Sequence, residues 1–141
     1  MIEKFNGIIY FTLFLIHFAG LGLYAYQLIV NTAKFREKFA IDVTATSTMR
    51  MLGGMLIGVF LMALYILFVR PNGVQGTWAF FNLVFVQNFC VLLVNIYTVM
   101  IDKTGVRSNS IEAVIAPLVF TVLMAILIYG LSDKILMIFL K

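Results

Sequence analysis

Residues 51–69 read MLGGMLIGVFLMALYILFV, an apolar run that contains no Asp, Glu, Lys or Arg. A helix needs about 20 such residues to cross the hydrocarbon core of a bilayer. Three further uncharged runs of similar length occupy residues 7–30, 77–101 and 113–131. Because lipid offers no hydrogen-bond partner, each spanning segment has to satisfy its own backbone as a helix. The sequence therefore predicts an all-α integral membrane protein, a four-helix bundle with antiparallel up-down topology.

The composition argues against two other classes of fold. Hydrophobic residues make up 63% of the chain and charged residues 11%, which would leave a soluble domain of this size without enough polar surface. The runs are continuously apolar and lack the alternation typical of a transmembrane barrel. We therefore predict a single transmembrane domain, 1–141. Its helices are expected at about 7–30, 43–69, 77–101 and 112–131, followed by a short amphipathic tail at 132–141.

The charged residues, the cysteine and the histidine indicate which classes of partner the chain can bind. The formal net charge is +4, but the basic residues are scattered over the loops and both ends, which is typical of charge that flanks a membrane rather than of a nucleic-acid site. The chain has one cysteine, one histidine and no nucleotide or metal motif. We expect the lipid bilayer as a partner, and no nucleic acid, metal or cofactor.

The basic residues also bear on orientation. Four spans return the chain to the side of the membrane on which it starts, so we expect both termini on the same side. That side carries Lys4, Arg70, Lys134 and Lys141. The other side carries Lys34, Arg36, Lys38, Arg50, Lys103 and Arg107. Since cytoplasmic loops carry the excess of positive charge, the first and third loops are expected in the cytoplasm. The short turn at residues 70–73 predicts that the second and third helices are neighbours.

The second predicted helix carries an arginine beside a groove of glycines. Arg50, Gly53, Gly54 and Gly58 fall on one face, because steps of three and four residues bring side chains above one another. Gly54 and Gly58 form a small-xxx-small pair that lets another helix approach closely, either within the chain or in self-association. An arginine at this depth either snorkels to the interface or pairs with a carboxylate.

Polar residues follow one stripe of the third predicted helix, from mid-membrane to its end. They are Asn88, Asn95, Thr98 and Asp102. Glu112 begins the fourth helix on the same side of the membrane, so Arg50 has two candidate carboxylate partners, of which Asp102 continues the stripe. The set is either a structural network of ion pairs and hydrogen bonds between helices, or the lining of a cavity that receives a polar headgroup or a small ligand.

His17 lies near the middle of the first predicted helix, at about the depth of Asn88. A histidine inside a membrane is a functional candidate by default. It could relay protons, bind a cofactor or donate a hydrogen bond to a neighbouring helix. With no second histidine in the chain and no acidic residue at its level, the structural interpretation is favoured.

Residues 45–58, ATSTMRMLGGMLIG, resemble a signature of small bacterial four-helix membrane proteins of unknown function related to the DoxX-like group. In such proteins an arginine precedes two glycines on the second helix and another glycine follows. The third helix of such proteins ends in an acidic residue near a glycine, and the corresponding residues of this chain are Asp102 and Gly105. They commonly carry a basic residue about two turns before that acid, where this chain has Asn95. The resemblance implies a bacterial inner (plasma) membrane and a link to redox or thiosulfate metabolism as a membrane subunit.

Two functions of different classes fit these features. The first is a non-enzymatic subunit or accessory partner of a larger membrane assembly. The second is a binder or carrier of a small lipophile, a quinone or a lipid, in an intramembrane site lined by Arg50 and the polar stripe of the third helix. An enzyme would need a general acid or base, for which the chain offers His17, Asp102 and Glu112. We therefore favour a non-enzymatic role, as a subunit or accessory partner, with the binder or carrier of a small lipophile as the alternative.

Overall fold

The computed structural model describes residues 2–103 and 111–136. Within these residues the chain is helical and forms no strand. Its α-helices are α1 (Ile8–Ile29), α2 (Thr32–Phe39), α3 (Thr46–Leu64), α4 (Trp78–Ile96), α5 (Glu112–Gly130) and α6 (Ser132–Ile135). Four helical segments are long and apolar enough to span a membrane: Ile8–Ile29, Val43–Val69, Trp78–Asp102 and Glu112–Gly130. The predicted all-α four-helix bundle is thereby confirmed.

Irregular turns extend two of the spans beyond their α-helices. A 3₁₀ turn, Val43–Ala45, leads into α3, and π-helical turns follow α3 at Tyr65–Val69 and α4 at Tyr97–Asp102. Asp42 caps the first of these turns, because its carboxylate accepts the backbone N–H of Thr44 at 2.8 Å. The second span therefore begins well before the apolar run that identified it.

Small residues allow α1 and α3 to pack closely. A Cβ atom on Gly53 of α3 would stand 2.6 Å from Cγ1 of Ile29 on α1. A Cβ atom on Gly22 of α1 would stand 3.1 Å from the Phe60 ring on α3. Glycines on both sides of this interface therefore let α1 and α3 pack more closely than larger residues would allow.

The principal helix pairs differ from those expected from the loops. Helix α1 packs on α3, α4 packs on α5, and α1 meets α5 to join the two pairs. The second and third spans, which a short turn connects, are not one of these close pairs. A short loop limits how far apart two helix ends can be, but the side chains along the helices decide how closely the helices pack. The bundle consequently retains space between its two pairs of helices.

Contacts between distant parts of the chain close one end of the bundle. The Asn6 amide donates to the Gly130 carbonyl at 3.1 Å and to the Asp133 carboxylate at 2.6 Å. The Lys134 ammonium donates to the Glu3 carbonyl. Helix α6 begins the tail predicted at 132–141, of which residues 137–141 lie outside the described part of the chain, as do Gly105 and Arg107 of the third loop.

Helix α2 is a short amphipathic helix in the connection between the first two spans. It buries Phe35, whose ring packs against Tyr24 of α1 at 5.5 Å and against Phe39 at 4.7 Å between centroids. The Thr32 hydroxyl donates to the Leu28 carbonyl at 2.7 Å, which ties the start of α2 to the end of α1. Helix α2 thus lies against the bundle rather than extending away from it.

Candidate functional site

A cavity of about 120 Å³ lies inside the bundle, lined by residues of α1, α3, α4 and α5. Its walls are mostly apolar, and its polar lining comes from Tyr24, Gln87, Asn88 and Asn95. Asn88 and Asn95 are members of the polar stripe predicted from the sequence, and both face this space. Cavities with apolar walls and a few polar groups are typical of small-molecule sites.

Asn88 and His17 meet at the buried side of this cavity. Asn88 is buried, and His17 is 0% exposed. The Asn88 Nδ2 atom lies 3.5 Å from Nε2 of His17, so the amide donates to the ring. The ring also makes edge-on contacts with Phe18 and Phe120, and Nδ1 of His17 is buried without a hydrogen-bond partner in the described part of the chain. The histidine therefore holds the Asn88 amide, whereas Asn88 itself lines the cavity.

The other members of the stripe have different roles. The Asn95 amide donates to the Ala113 carbonyl at 2.7 Å and so connects α4 to α5. The Thr98 hydroxyl donates to the Val94 carbonyl of its own helix at 2.8 Å, and Thr98 does not line the cavity. Asp102 is exposed at the end of the third span. Of the predicted stripe, Asn88 and Asn95 contribute to the cavity, and Thr98 and Asp102 do not.

A second cavity of about 150 Å³ adjoins the first and extends it toward α2. The two share Tyr24, Asn95, Ala116 and Pro117 as lining residues. The second is closed by Phe35 and Phe39 of α2, by Ile41, and by Glu112 and Ala113 at the start of α5. Helix α2 therefore covers the route from the bundle interior to the membrane interface.

An ion pair holds this cover in place. The Lys38 ammonium of α2 contacts the Glu112 carboxylate of α5. Both side chains are largely exposed, and such pairs contribute at most about 1 kcal/mol. The pair positions α2 against α5, and breaking it would cost little free energy.

The first cavity also reaches the outer surface of the bundle. Leu52 of α3 and Val91 of α4 line it, and each is 39% exposed. These residues lie on α3 and α4, which are not one of the close helix pairs, so the cavity opens between α3 and α4. In a membrane that opening faces lipid.

Arg50 does not belong to this site. It is exposed on α3 and does not line the cavity. Glu112, one of the two predicted partners, binds Lys38 instead, whereas the pairing of Arg50 with Asp102 stays a prediction. The predicted face is divided in the structure, since Gly53 is buried against α1 whereas Arg50, Gly54 and Gly58 are exposed.

The glycines of α3 divide between two faces. Gly53 is buried against α1, whereas a Cβ atom on Gly54 or Gly58 would meet nothing within 4 Å. The predicted helix-packing role within the chain therefore falls to Gly53 and not to the small-xxx-small pair. Gly54 and Gly58 lie on the outer surface of the bundle.

Sequence reasoning missed three residues of the site. Gln87 and Tyr24 line the cavity, and Lys38 forms the ion pair at its cover. Gln87 carries a recognisable signal, since an amide next to Asn88 in the middle of an apolar run is costly unless it faces protein. The Tyr24 and Lys38 side chains resemble ordinary interface residues in the sequence, and the position of α2 decides their role.

No group of three or more His, Cys, Asp or Glu side chains that could hold a metal ion occurs among the described residues. Comparison of the chain with protein-family models, curated proteins and solved structures finds no match. The geometry of the cavity is therefore the basis for inferring function.

Proposed function

We propose that this protein binds a small lipophile in the intramembrane cavity. The main observation in support is that Asn88, Asn95 and Gln87 line an otherwise apolar cavity. This cavity opens toward lipid between α3 and α4. Amide side chains inside a membrane are costly without partners. A ligand with a polar group would satisfy them while its apolar part remains in the hydrocarbon.

The size of the cavity limits the part of the ligand that it holds. Its volume of about 120 Å³ is close to that of an apolar protein cavity of roughly 150 Å³ that accommodates benzene. One ring or a short chain therefore fits. A quinone headgroup, or the glycerol region of a lipid, meets this limit and leaves its chain to pass between the helices.

The hydrogen-bonding groups suit oxygen atoms on such a headgroup. One N–H of each amide, Asn88 and Asn95, is used within the protein, which leaves the other N–H to donate to a ligand and the carbonyl oxygen to accept from a ligand hydroxyl. Gln87 and Tyr24 add groups that donate as well as accept. A reduced quinone can donate to and accept from these groups, whereas the carbonyl oxygens of an oxidised quinone only accept.

Intact-complex mass spectrometry tests this proposal. The protein, produced in its own host and extracted in mild detergent, should retain one specific small molecule. Replacement Asn88→Leu should reduce this retention, because an interhelical or ligand hydrogen bond of about 1–2 kcal/mol corresponds to a 5- to 30-fold change in affinity. The matched control Thr98→Val, which removes a hydroxyl from the same helix outside the cavity, should retain the ligand. A wild-type chain that carries no small molecule would contradict the proposal.

We propose as a second function that the chain is a subunit or accessory partner of a larger membrane assembly, or self-associates. The outward position of Gly54 and Gly58 supports this, since small residues four apart allow close approach of another helix in lipid. Gly58→Leu should remove any protein partner from the same mass spectrum. Ala125→Leu, at an exposed position of α5, is the control.

We also propose the bacterial inner membrane as the location, with both termini on the same side, and a relationship to the DoxX-like group. The motif at residues 45–58 supports the relationship. The contacts of Asn6 with Gly130 and Asp133 support the placement of the termini. Reporter fusions at the two termini test it, and reporters that respond as if on opposite sides would contradict it.

A further inference from the structure

A third cavity, of about 230 Å³, lies at the corner between α1 and α2. It is lined by Gln27, Asn31, Lys34, Phe35 and Lys38. The four polar residues follow one another at spacings of four, three and four residues, which place them along one continuous edge of the two helices. This cavity is distinct from the first intramembrane cavity. Phe35 lines both this cavity and the second cavity beneath α2.

The side chains that line this cavity form a set suited to an anion. Two ammonium groups and two amides supply N–H donors, and no carboxylate lines the cavity. Lys34 and Lys38 are one helical turn apart, an arrangement in which like charges repel. Glu112 compensates Lys38 from outside the cavity, whereas no described carboxylate pairs with Lys34. An anion between the two ammonium groups would remove the repulsion.

The position of the cavity identifies the source of the anion. It lies where the first span ends, and Tyr26 and Val30, which precede its lining residues Gln27 and Asn31 in the chain, are 50% and 61% exposed. Phe35 provides an apolar floor. Lysines at the end of a span lie at the level of lipid phosphates, and the anionic surface of a membrane attracts them.

We propose that this cavity binds the phosphate group of an anionic phospholipid, with Lys34 and Lys38 as the charged contacts and Gln27 and Asn31 as amide donors. The lipid chains then lie along the exposed apolar surface of α1. This site shares no lining residue with the first intramembrane cavity, and its Phe35 also lines the second cavity beneath α2.

Lipid-dependent thermal unfolding tests the site. The purified full-length chain in detergent is titrated with phosphatidylglycerol, with phosphatidylcholine and with inorganic phosphate. We expect phosphatidylglycerol to raise Tm at concentrations where the other two have little effect. Lys34→Gln should weaken the apparent affinity for phosphatidylglycerol about fivefold, as expected for one lysine at an anionic surface.

The control is Lys103→Gln, which removes one exposed positive charge outside this cavity. It should leave the response to phosphatidylglycerol unchanged. Lys34 is exposed, so its replacement preserves the fold, and unaltered Tm in the absence of lipid verifies this. The proposal would be overturned if phosphatidylcholine or inorganic phosphate stabilised the protein as much as phosphatidylglycerol does. It would also be overturned if phosphatidylglycerol stabilised the Lys34→Gln variant as much as the wild type.

Discussion

Filling the intramembrane cavity provides a direct test of its role. Ala116 of α5 lines both the cavity of about 120 Å³ and its extension beneath α2. Replacement Ala116→Leu adds three carbon atoms at this shared position. Because the added atoms occupy space where the ligand is expected, the variant should lose the ligand while the helices remain packed.

The gain in packing can be estimated from the cavity. At about 24 cal/mol per Å³, a void of about 120 Å³ corresponds to about 3 kcal/mol of missing packing energy. Leucine fills part of it, and its three carbons are worth about 2 kcal/mol at ~0.8 kcal/mol each. In lipid the gain comes from dispersion contacts, so we expect the ligand-free variant to gain about 1–2 kcal/mol in free energy of unfolding and a few degrees in Tm.

Thermal unfolding in detergent and intact-complex mass spectrometry measure the two effects on the same sample. The control Ala125→Leu adds the same atoms at an exposed position of the same helix, where neither ligand retention nor Tm should change appreciably. Ligand retention by Ala116→Leu at the wild-type level would refute the assignment of the cavity. Because a bound ligand itself raises Tm, the comparison is made with wild-type protein freed of its ligand, and a fall in Tm relative to that protein would refute the packing estimate.

Three further predictions concern helix packing, a hydrogen bond and a cap. Gly53→Ala should cost about 1–3 kcal/mol in free energy of unfolding, since its Cβ would stand 2.6 Å from a side-chain carbon, whereas Gly54→Ala should change it by less than about 0.5 kcal/mol; equal losses in the two variants would contradict the packing described. Asn95→Leu should cost about 0.6–1.7 kcal/mol through loss of its bond to α5, and unchanged denaturant unfolding would show that the bond contributes nothing. Hydrogen bonds from the side chain and then the backbone of Thr44 hold the pKa of Asp42 below its ordinary value of 3.8. A carboxyl whose pKa is lower in the folded state stabilises the fold at pH values above its ordinary pKa, and this stabilisation is lost as the pH falls through the folded-state pKa. Asp42→Asn should therefore reduce the loss of stability at acid pH. An identical dependence of stability on pH in the variant would exclude Asp42 as the source of that loss.

The spans were predictable because each one is a single continuous segment of the sequence. The absence of charge over residues 51–69, and the cost of an unpaired backbone in lipid, require a helix whatever surrounds it. The cap by Asp42 is also local, since its partner Thr44 is two residues away. Helix α2 was harder to predict, because it lies in a polar connection and its burial depends on contact between Phe35 and Tyr24 of another helix.

The candidate site was only partly predictable for the same physical reason. Asn88 and Asn95 were identified because an amide in an apolar run has to face protein or a ligand, and this requirement does not depend on the rest of the fold. Arg50 was assigned to the site because an arginine at membrane depth either snorkels or finds a partner, and the polar stripe of the third span ends at its level. The sequence does not show which residues of α3 face the bundle, and close packing buries Gly53 on α1 while Arg50 remains exposed.

The sequence by itself determined that the chain crosses a membrane as four helices and that amides lie at its middle, because hydrocarbon penalises unpaired polar groups one segment at a time. The tertiary structure decided which helices pair, that Glu112 contacts Lys38 rather than Arg50, and that a cavity remains between α3 and α4. These features depend on the rotation of each helix about its own axis. Packing between side chains that are distant in sequence determines that rotation, since lipid solvates every apolar face of a helix about equally well.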